Sequence, residues 1–323
     1  LDPVLQRYFN ALNGVANDPS SIPAREVLLA EAEALTDRFH FLDQRANQIA
    51  EGVNQDITGT VADINTLAKG IAELNQVITE SGGLAGQPPN DLLDQRDQLI
   101  DRLSSLVRVT YYEQDDGAVN VFIGNGQSLV IGARAATLSA HPDATDPTRR
   151  VVRYDDGSST QDITAQLTGG QLGGLLQFRS QVLDPSVARL DRIAFDLATK
   201  VNDVHDDGTD LNGEPGGAFF WLPPGATADA PAGAAAQIRL AIGDAREIAA
   251  ALDGGPSDNR NALALAELQR TKFMLDGTAT VQGAYAQVVA DVGSRTRHAE
   301  LNATAQQGLL TQAEASRSAV SGV

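Results

Sequence analysis

The chain has 323 residues, 42% of them hydrophobic but only 5% aromatic, and a formal net charge of −18. That length holds two or three domains, and the acidic balance argues against nucleic acid, whose phosphates need a basic face. There is no cysteine, which removes a disulfide scaffold, a thiol nucleophile and a thiolate zinc cluster; no run of 18 apolar residues reads as a membrane span.

Val4, Leu5, Tyr8, Leu12 and Val15 share one face of a first helix, which Asn17-Asp18-Pro19-Ser20-Ser21 breaks. Pro23 opens the next helix, where a missing N–H costs nothing. From about Ala24 to Ile78 the apolar positions predict one helix of roughly 55 residues, on the order of 80 Å long. They are Leu35, Phe39, Leu42, Ala46, Ile49, Val53, Ile57, Val61, Ile64, Leu67, Ile71, Leu74 and Ile78. The steps first alternate four and three, a heptad seam. Val53, Ile57 and Val61 then step by four, a stutter that straightens the supercoil. The alternative is two helices meeting near Gly52 or Gly59.

Gly82, Gly83, Gly86, Pro88 and Pro89 predict the next break, and Asn90 or Asp91 caps a third helix. Its stripe is Leu92, Leu93, Arg96, Leu99, Ile100, Leu103, Leu106 and Val107. The connection is short, so this helix is expected to return antiparallel to the long one. The period then changes to two. Val107, Val109 and Tyr111, then Val119, Val121 and Ile123, flank the turn Asp115-Asp116-Gly117, a β-hairpin signal. Leu129–Ile131, Arg150–Tyr154 and Ile163–Leu167 read as further strands. Residues 107–170 are therefore expected to form a small all-β domain inserted into a helical rod of 1–106 and 171–323. The alternative is a β excursion lying flat on the helices without a core of its own.

Helical periodicity returns from Leu172 to about His205, with a break or kink at Pro185. Phe219–Leu222 and Ile238–Ile242 predict a small hairpin, within about 218–243. Asn261–Lys272 reads as a short helix and Thr278 to about Ser318 as a long one. Gly283, Gly293 and Gly308 each cost the last helix about 1 kcal/mol against Ala; close approach of another backbone is the expected reason for them. The fold class expected is α+β: an elongated antiparallel helical bundle with long coiled-coil-like helices, an inserted small all-β domain and a short hairpin. Leu1 follows no basic segment with an apolar stretch, so no signal peptide is visible. Both ends read as helix cut in mid-course, and the chain is expected to be a fragment of a longer protein.

Few motifs carry chemistry. In Asp210-Leu211-Asn212-Gly213 an EF-hand alignment puts Gly208 at the first position and Phe219 at the twelfth, so the first Asp and the bidentate Glu are missing. A tight turn with side-chain acceptors fits better. His40, His141, His205 and His298 are far apart in sequence and make no local zinc motif. There is no Gly-x-Ser-x-Gly and no phosphate loop. Asp94, Asp97 and Asp101 read as a solvated helix face. No catalytic, metal or cofactor residues are expected.

Three segments carry a resemblance. They are Pro89-Asn90-Asp91-Leu92-Leu93-Asp94-Gln95-Arg96-Asp97-Gln98-Leu99; Val201-Asn202-Asp203-Val204-His205 with Gly208-Thr209-Asp210-Leu211-Asn212-Gly213 and Phe219-Phe220; and Ser257-Asp258-Asn259-Arg260-Asn261-Ala262-Leu263. With Phe9-Asn10-Ala11-Leu12 and Asn17-Asp18-Pro19-Ser20-Ser21, the chain resembles the flagellar hook-associated protein 1 family, the first hook–filament junction proteins. The motif positions Asn90, Asp91, Leu92, Asp94, Arg96, Asp97, Asn202, His205, Gly208, Asp210, Gly213, Phe219, Phe220, Asp258, Asn259 and Asn261 are expected to be structural. The resemblance implies a structural subunit of the bacterial flagellum, not an enzyme, in a ring of copies of itself that adapts hook to filament. Implied partners are hook protein, a second junction protein and through it flagellin, and an export chaperone that binds through the missing C-terminal segment. It implies export through the flagellar type III channel to an extracellular place, with neither nucleic acid nor membrane as partner. The resemblance implies further terminal segments, expected to lie outside this sequence, and the segment between Phe220 and Asp258 looks short, as if an outer domain were missing. The alternatives are a hydrolase acting on cell-wall or matrix polymer and a calcium-dependent adhesin.

Overall fold

The computed structural model describes residues 1–85, 90–253 and 255–321. The helices in chain order are α1 (Asp2–Asn17), α2 (Ile22–Ala85), α3 (Asn90–Leu106), α4 (Gly170–Phe178), α5 (Asp184–Asp206), α6 (Ala234–Gln237), α7 (Arg260–Glu267) and α8 (Val281–Ser321). The strands form three antiparallel sheets. The first is β1 (Val109–Glu113), β2 (Val119–Ile123), β3 (Gln127–Ile131) and β4 (Arg134–Ala135), in that order. The second is β5 (Thr137–Pro142), β6 (Arg150–Asp155) and β7 (Thr160–Asp162). The third is the hairpin of β8 (Phe220–Trp221) and β9 (Arg239–Leu240).

The long helix is continuous through Gly52 and Gly59 and runs to Ala85, so Gly82 and Gly83 lie inside it and do not break it. Gly86, Pro88 and Pro89 fall outside the described residues. The chain divides into two units, Leu1–Arg45 with Asp184–Val323, and Ala46–Leu183. This division runs through α2 at 45/46 and falls before α5 at 183/184.

The reason is where the second unit keeps its core. The strands place Val119, Val121, Ile123, Leu129, Val130, Leu138, Val152 and Tyr154 in one buried cluster with Val53, Ile57, Val61, Ile64, Ala68 and Ile71 of α2. Ile100 and Leu103 of α3 and Leu172 of α4 complete it. The buried apolar side chains of both sheets thus have the helix seam as their floor. Helix α3 lies on the same seam: Leu99 Cδ1 stands 3.0 Å from where a Cβ on Gly70 would be.

Two details of this unit differ from the sequence expectation. Ile163–Leu167 is not a strand. Thr164–Gln166 makes a turn of 3-10 helix, because the Asp162 carboxylate accepts from Thr164 N and Oγ1 and starts the turn there. Ile163 and Leu167 are buried all the same, since their spacing suits either conformation. At the unit's edge, near Pro185 at the start of α5, the chain does not break either. A π-turn at Arg179–Leu183 joins α4 to α5, and the wider turn accommodates a ring that cannot donate an N–H.

In the first unit a core rich in Leu and Ala also holds a group of aromatic rings. Tyr8 and Phe9 of α1, Phe39 of α2, and Phe219 and Phe220 are all fully buried. Phe219 and Phe220 meet edge to face at 4.9 Å, and Tyr8 stands 6.3 Å from Phe219 and 6.0 Å from Phe220. Leu28 and Leu35 of α2 and Ile193, Leu197 and Val201 of α5 surround them. The seam of α2 is interrupted at Ile49, which is 40% exposed. Helix α7 ends at Glu267, short of Lys272, and a turn that carries Leu275 and Asp276 at positive φ leads into α8. Among the described residues nothing lies within 4 Å of a Cβ on Gly293 or Gly308, so the expected backbone approach is not found there.

Candidate functional site

Ten of the sixteen motif residues converge in the first unit, where α5 hands over to the hairpin. Asn202 and His205 lie one turn apart on α5. The Asn202 amide receives Phe219 N at 2.9 Å and Phe220 N at 2.8 Å on Oδ1, and donates from Nδ2 to Phe220 O at 2.8 Å. It therefore reads the backbone of the two residues whose rings fill the core. His205 is fully buried. Its Nδ1–H donates to Gly217 O at 2.8 Å, and its Nε2 accepts Ala249 N–H at 2.9 Å. An amide N–H only donates, so the ring is the neutral Nδ1–H tautomer.

The loop between is held by close approach. A Cβ on Gly208 would sit 2.1 Å from Asn261 Nδ2, and one on Gly216 would sit 1.9 Å from His205 O, so both positions exclude any other residue. Asp210 makes the turn. Its Oδ1 accepts Asn212 N at 2.8 Å and Glu214 N at 2.9 Å, and Gly213 follows with φ +84°.

Residues 245–251 close over this loop. Thr209 and Ala251 exchange backbone bonds at 2.7 and 3.2 Å, and Leu211 N donates to Arg246 O at 3.0 Å. From α7, Asn261 Nδ2 donates to Ala249 O at 2.7 Å, and Asn259 Nδ2 donates to Ala16 O at 2.6 Å. Asp258 accepts from Leu252 N and Asp253 N, and pairs with Arg260. The Arg260 side chain, with these backbone N–H groups, holds the Asp258 carboxyl far below the usual range.

Sequence reasoning missed the cation at the centre. Arg25, in the first turns of α2, is 1% exposed. Its Nε donates to Pro19 O at 2.7 Å, and its Nη1 donates to Ile248 O at 2.5 Å and Ala245 O at 3.2 Å. Burial holds its pKa down at about 10, with the Asp210 charge opposing. Asp191 of α5 was missed too; it accepts Gly233 N and Ala235 N and so caps α6, and burial raises its pKa. A signal existed for Arg25. It stands three residues before Leu28, in phase with Ala32, Leu35 and Phe39, and a charge on an apolar stripe must find buried partners.

The other six motif residues lie on α3 in the second unit. Asn90, Asp91, Asp94 and Asp97 are exposed and Leu92 is half-buried. Arg96 alone is buried; its Nη1 donates to Gly117 O at 2.5 Å and its Nη2 lies 3.9 Å from Glu113. The second unit has amides of its own bonded to backbone, the buried Asn75 and the half-buried Asn65, which sequence reasoning did not single out. Asn75 Oδ1 accepts Val119 N at 3.0 Å, and its Nδ2 donates to Val119 O and Gly132 O, both at 2.8 Å. Asn65 exchanges bonds of 2.8 Å with Leu138 N and O.

Neither unit arranges these groups around an open reaction centre. A cavity of about 490 Å³ in the first unit is lined by Ile193, Met274 and Val288, with Asp196 and Asp291 paired to Arg192 and Arg189. One of about 740 Å³ in the second unit holds Asp143 and Asp162. One oxygen of each, Oδ1, accepts from the backbone N–H and hydroxyl of Thr145 and Thr164. Among the described residues no three His, Asp or Glu converge as a metal site, and no helix is long and apolar enough to cross a membrane.

What the clasp does chemically is fix a backbone, and that is the property of a scaffold. Residues 1–220 match the family described as the flagellar hook-associated protein FlgK helical domain. The chain belongs to the flagellar hook-associated protein 1 family. It is 31% identical over 401 aligned positions to flagellar hook-associated protein 1 of Escherichia coli (strain K12), covering 99% of this chain and 73% of that one. With the Bacillus subtilis (strain 168) protein of the same name the identity is 29%, over all of this chain and 69% of the other. The solved flagellar hook junction protein FlgK from Burkholderia pseudomallei has the same fold: TM-score 0.86 over 97% of this chain and 93% of that one, at 22% identity. A hook-associated protein 1 is a structural component of the bacterial flagellum at the hook–filament junction, and this chain is one.

Proposed function

We propose that this hook-associated protein forms a ring with copies of itself between hook and filament and adapts the two mechanically, without catalysis. Its partners in this reading are hook protein on one side and the second junction protein, and through it flagellin, on the other. It reaches the outside of the cell through the flagellar type III channel with the help of an export chaperone. The motif residues serve the fold: Asn202, His205, Gly208, Asp210, Gly213, Phe219, Phe220, Asp258, Asn259 and Asn261 fix the clasp, and Arg96 anchors α3.

The observation that carries this reading is α8. Every described side chain from Gly293 to Ser316 is exposed, including Leu301, Leu309 and Leu310 at 56%, 66% and 51%. A helix with exposed leucines over this length gains its stability from partners, as a subunit of an assembly does. Negative-stain imaging of flagella from a strain lacking this protein tests the role. Hooks without filaments are expected, restored by the wild-type gene; filaments attached normally would overturn it. A calcium-dependent adhesin is tested separately, by the melting midpoint in millimolar calcium and in chelator. No displacement is expected, because the Asp210 oxygens are already bonded to the turn.

A further inference from the structure

We propose that His205 is a proton-operated latch: its neutral imidazole holds residues 245–251 against the 205–217 loop, and protonation at Nε2 opens this clasp before the second unit opens.

The geometry leaves the ring no other way to charge. Nδ1 already carries the proton given to Gly217 O, so a second proton must go to Nε2. There it would face the Ala249 N–H, 2.9 Å away, and replace an attractive contact by two opposed donors. The ring is fully buried and touches Phe219 edge on at 5.3 Å, so water cannot take up the displaced bond while the clasp is closed.

Ala249 is the middle of a strap. Its own carbonyl receives Asn261 Nδ2, Ile248 O receives Arg25 Nη1, and Ala250 O receives Ala262 N at 3.0 Å. Ala251 and Arg246 O are bonded to Thr209 and Leu211 of the loop. Displacing Ala249 therefore loosens bonds to α2, α7 and the loop together.

The charged groups around the ring do not rescue it. Asp206 of α5 and Asp210 of the loop favour the imidazolium, and Arg25 of α2 opposes it. Helix α1 presents only the neutral Tyr8, through Phe219, and α7 only the uncharged Asn261. In the strap, Arg246 and Glu247 are exposed, with the Glu247 carboxylate on Gly243 N and Asp244 N. Burial outweighs these charges and lowers the pKa of His205. The folded value lies below the unfolded one of about 6.5. The closed clasp is therefore fully favoured above about pH 6.5 and loses stability as pH falls toward the folded value.

The test is native-state amide exchange on the whole chain between pH 7.5 and 4.5, read as opening constants. For Ala249, Ala251, Thr209 and Leu211 the opening constant should rise about tenfold per pH unit below about 6.5, the slope of one proton taken up on opening. Val119 and Leu138, in the second unit, should show no such slope. His205→Asn, which keeps a donor for Gly217 O but does not titrate, should abolish the slope. The imidazole ¹⁵N shifts of the wild-type protein give a reading that does not depend on the variant folding: His205 should remain the neutral Nδ1–H form as long as Ala249 is protected. A charged His205 with Ala249 still protected, the same acid slope in both units, or a slope that survives in His205→Asn would each overturn the latch.

Discussion

In the second unit two amides on one long helix reach out to strands; in the first, amides on two helices hold the first strand of a two-residue hairpin and a strap that runs outside any sheet. Asn65 and Asn75 project from α2 and bond the backbone of Leu138 and Val119 as a neighbouring strand would. Asn202 and Asn261 instead hold the Phe219–Phe220 backbone and the strap around Ala249. Their cores differ in the same sense. Both are packed mainly with Leu, Ile, Val and Ala, in the second unit between a helix seam and sheets, but the first also gathers Tyr8, Phe9, Phe39, Phe219 and Phe220. Aliphatic side chains suit the repeating spacing of a sheet on a helix. Large rings fill the uneven space where a loop, a short hairpin and helix ends meet.

The sharpest way to break this comparison is in the aromatic core. Phe219→Ala should cost about 3–5 kcal/mol, and the loss should appear in the first unit. Trp221 is the only tryptophan of the chain, so its fluorescence in a denaturant titration reports on that unit. A cost below about 1 kcal/mol would mean the ring is dispensable and the contrast between the cores is false.

Asn75→Ala comes next. It strands Val119 N–H and the carbonyls of Val119 and Gly132 on a buried face, and should cost about 2–4 kcal/mol. Amide exchange in β2 and β3 should accelerate while the Trp221 transition stays in place. Loss at Trp221 of equal size would show that the two units melt as one.

Leu99→Ala probes the seam under α3. Leu99 is only partly buried, against Gly70, so about 1–2 kcal/mol is expected, less than for a fully buried leucine. Urea titration followed by helical circular dichroism would measure it, and no measurable change would mean that α3 does not depend on this contact.

The smallest effect should have the opposite sign. The Tyr8 hydroxyl is buried with no hydrogen-bond partner among the described residues, and burial pushes its pKa up. Tyr8→Phe removes an unpaired polar atom and keeps the ring, so stability should hold or rise by up to about 1 kcal/mol. A clear loss in the same titration would show that the hydroxyl has a partner, such as a buried water.

The sequence by itself determined the helices and their buried faces, because those signals are local. The 3.6-residue period put Leu5, Tyr8, Leu12 and Val15 on the inner face of α1 and drew α2 through Gly52 and Gly59. The period-two run found β1, β2 and their turn. Tertiary structure alone decided which surface each seam covers. Val53 to Ile71 carries an apolar stripe that follows the heptad through a stutter and reads as helix, yet the strands lie on it as well, and the division into units falls at 45/46 for that reason. It also decided the turn at Ile163–Leu167, where apolar spacing suited two conformations and the Asp162 carboxylate chose between them. The clasp was visible as a list of residues, Asn202, His205, Gly208, Asp258 and Asn261, but not as an object. Its bonds join positions that are far apart in sequence, Arg25 to Ala245 and Ile248 above all, and no local period carries information about a partner more than 200 residues away.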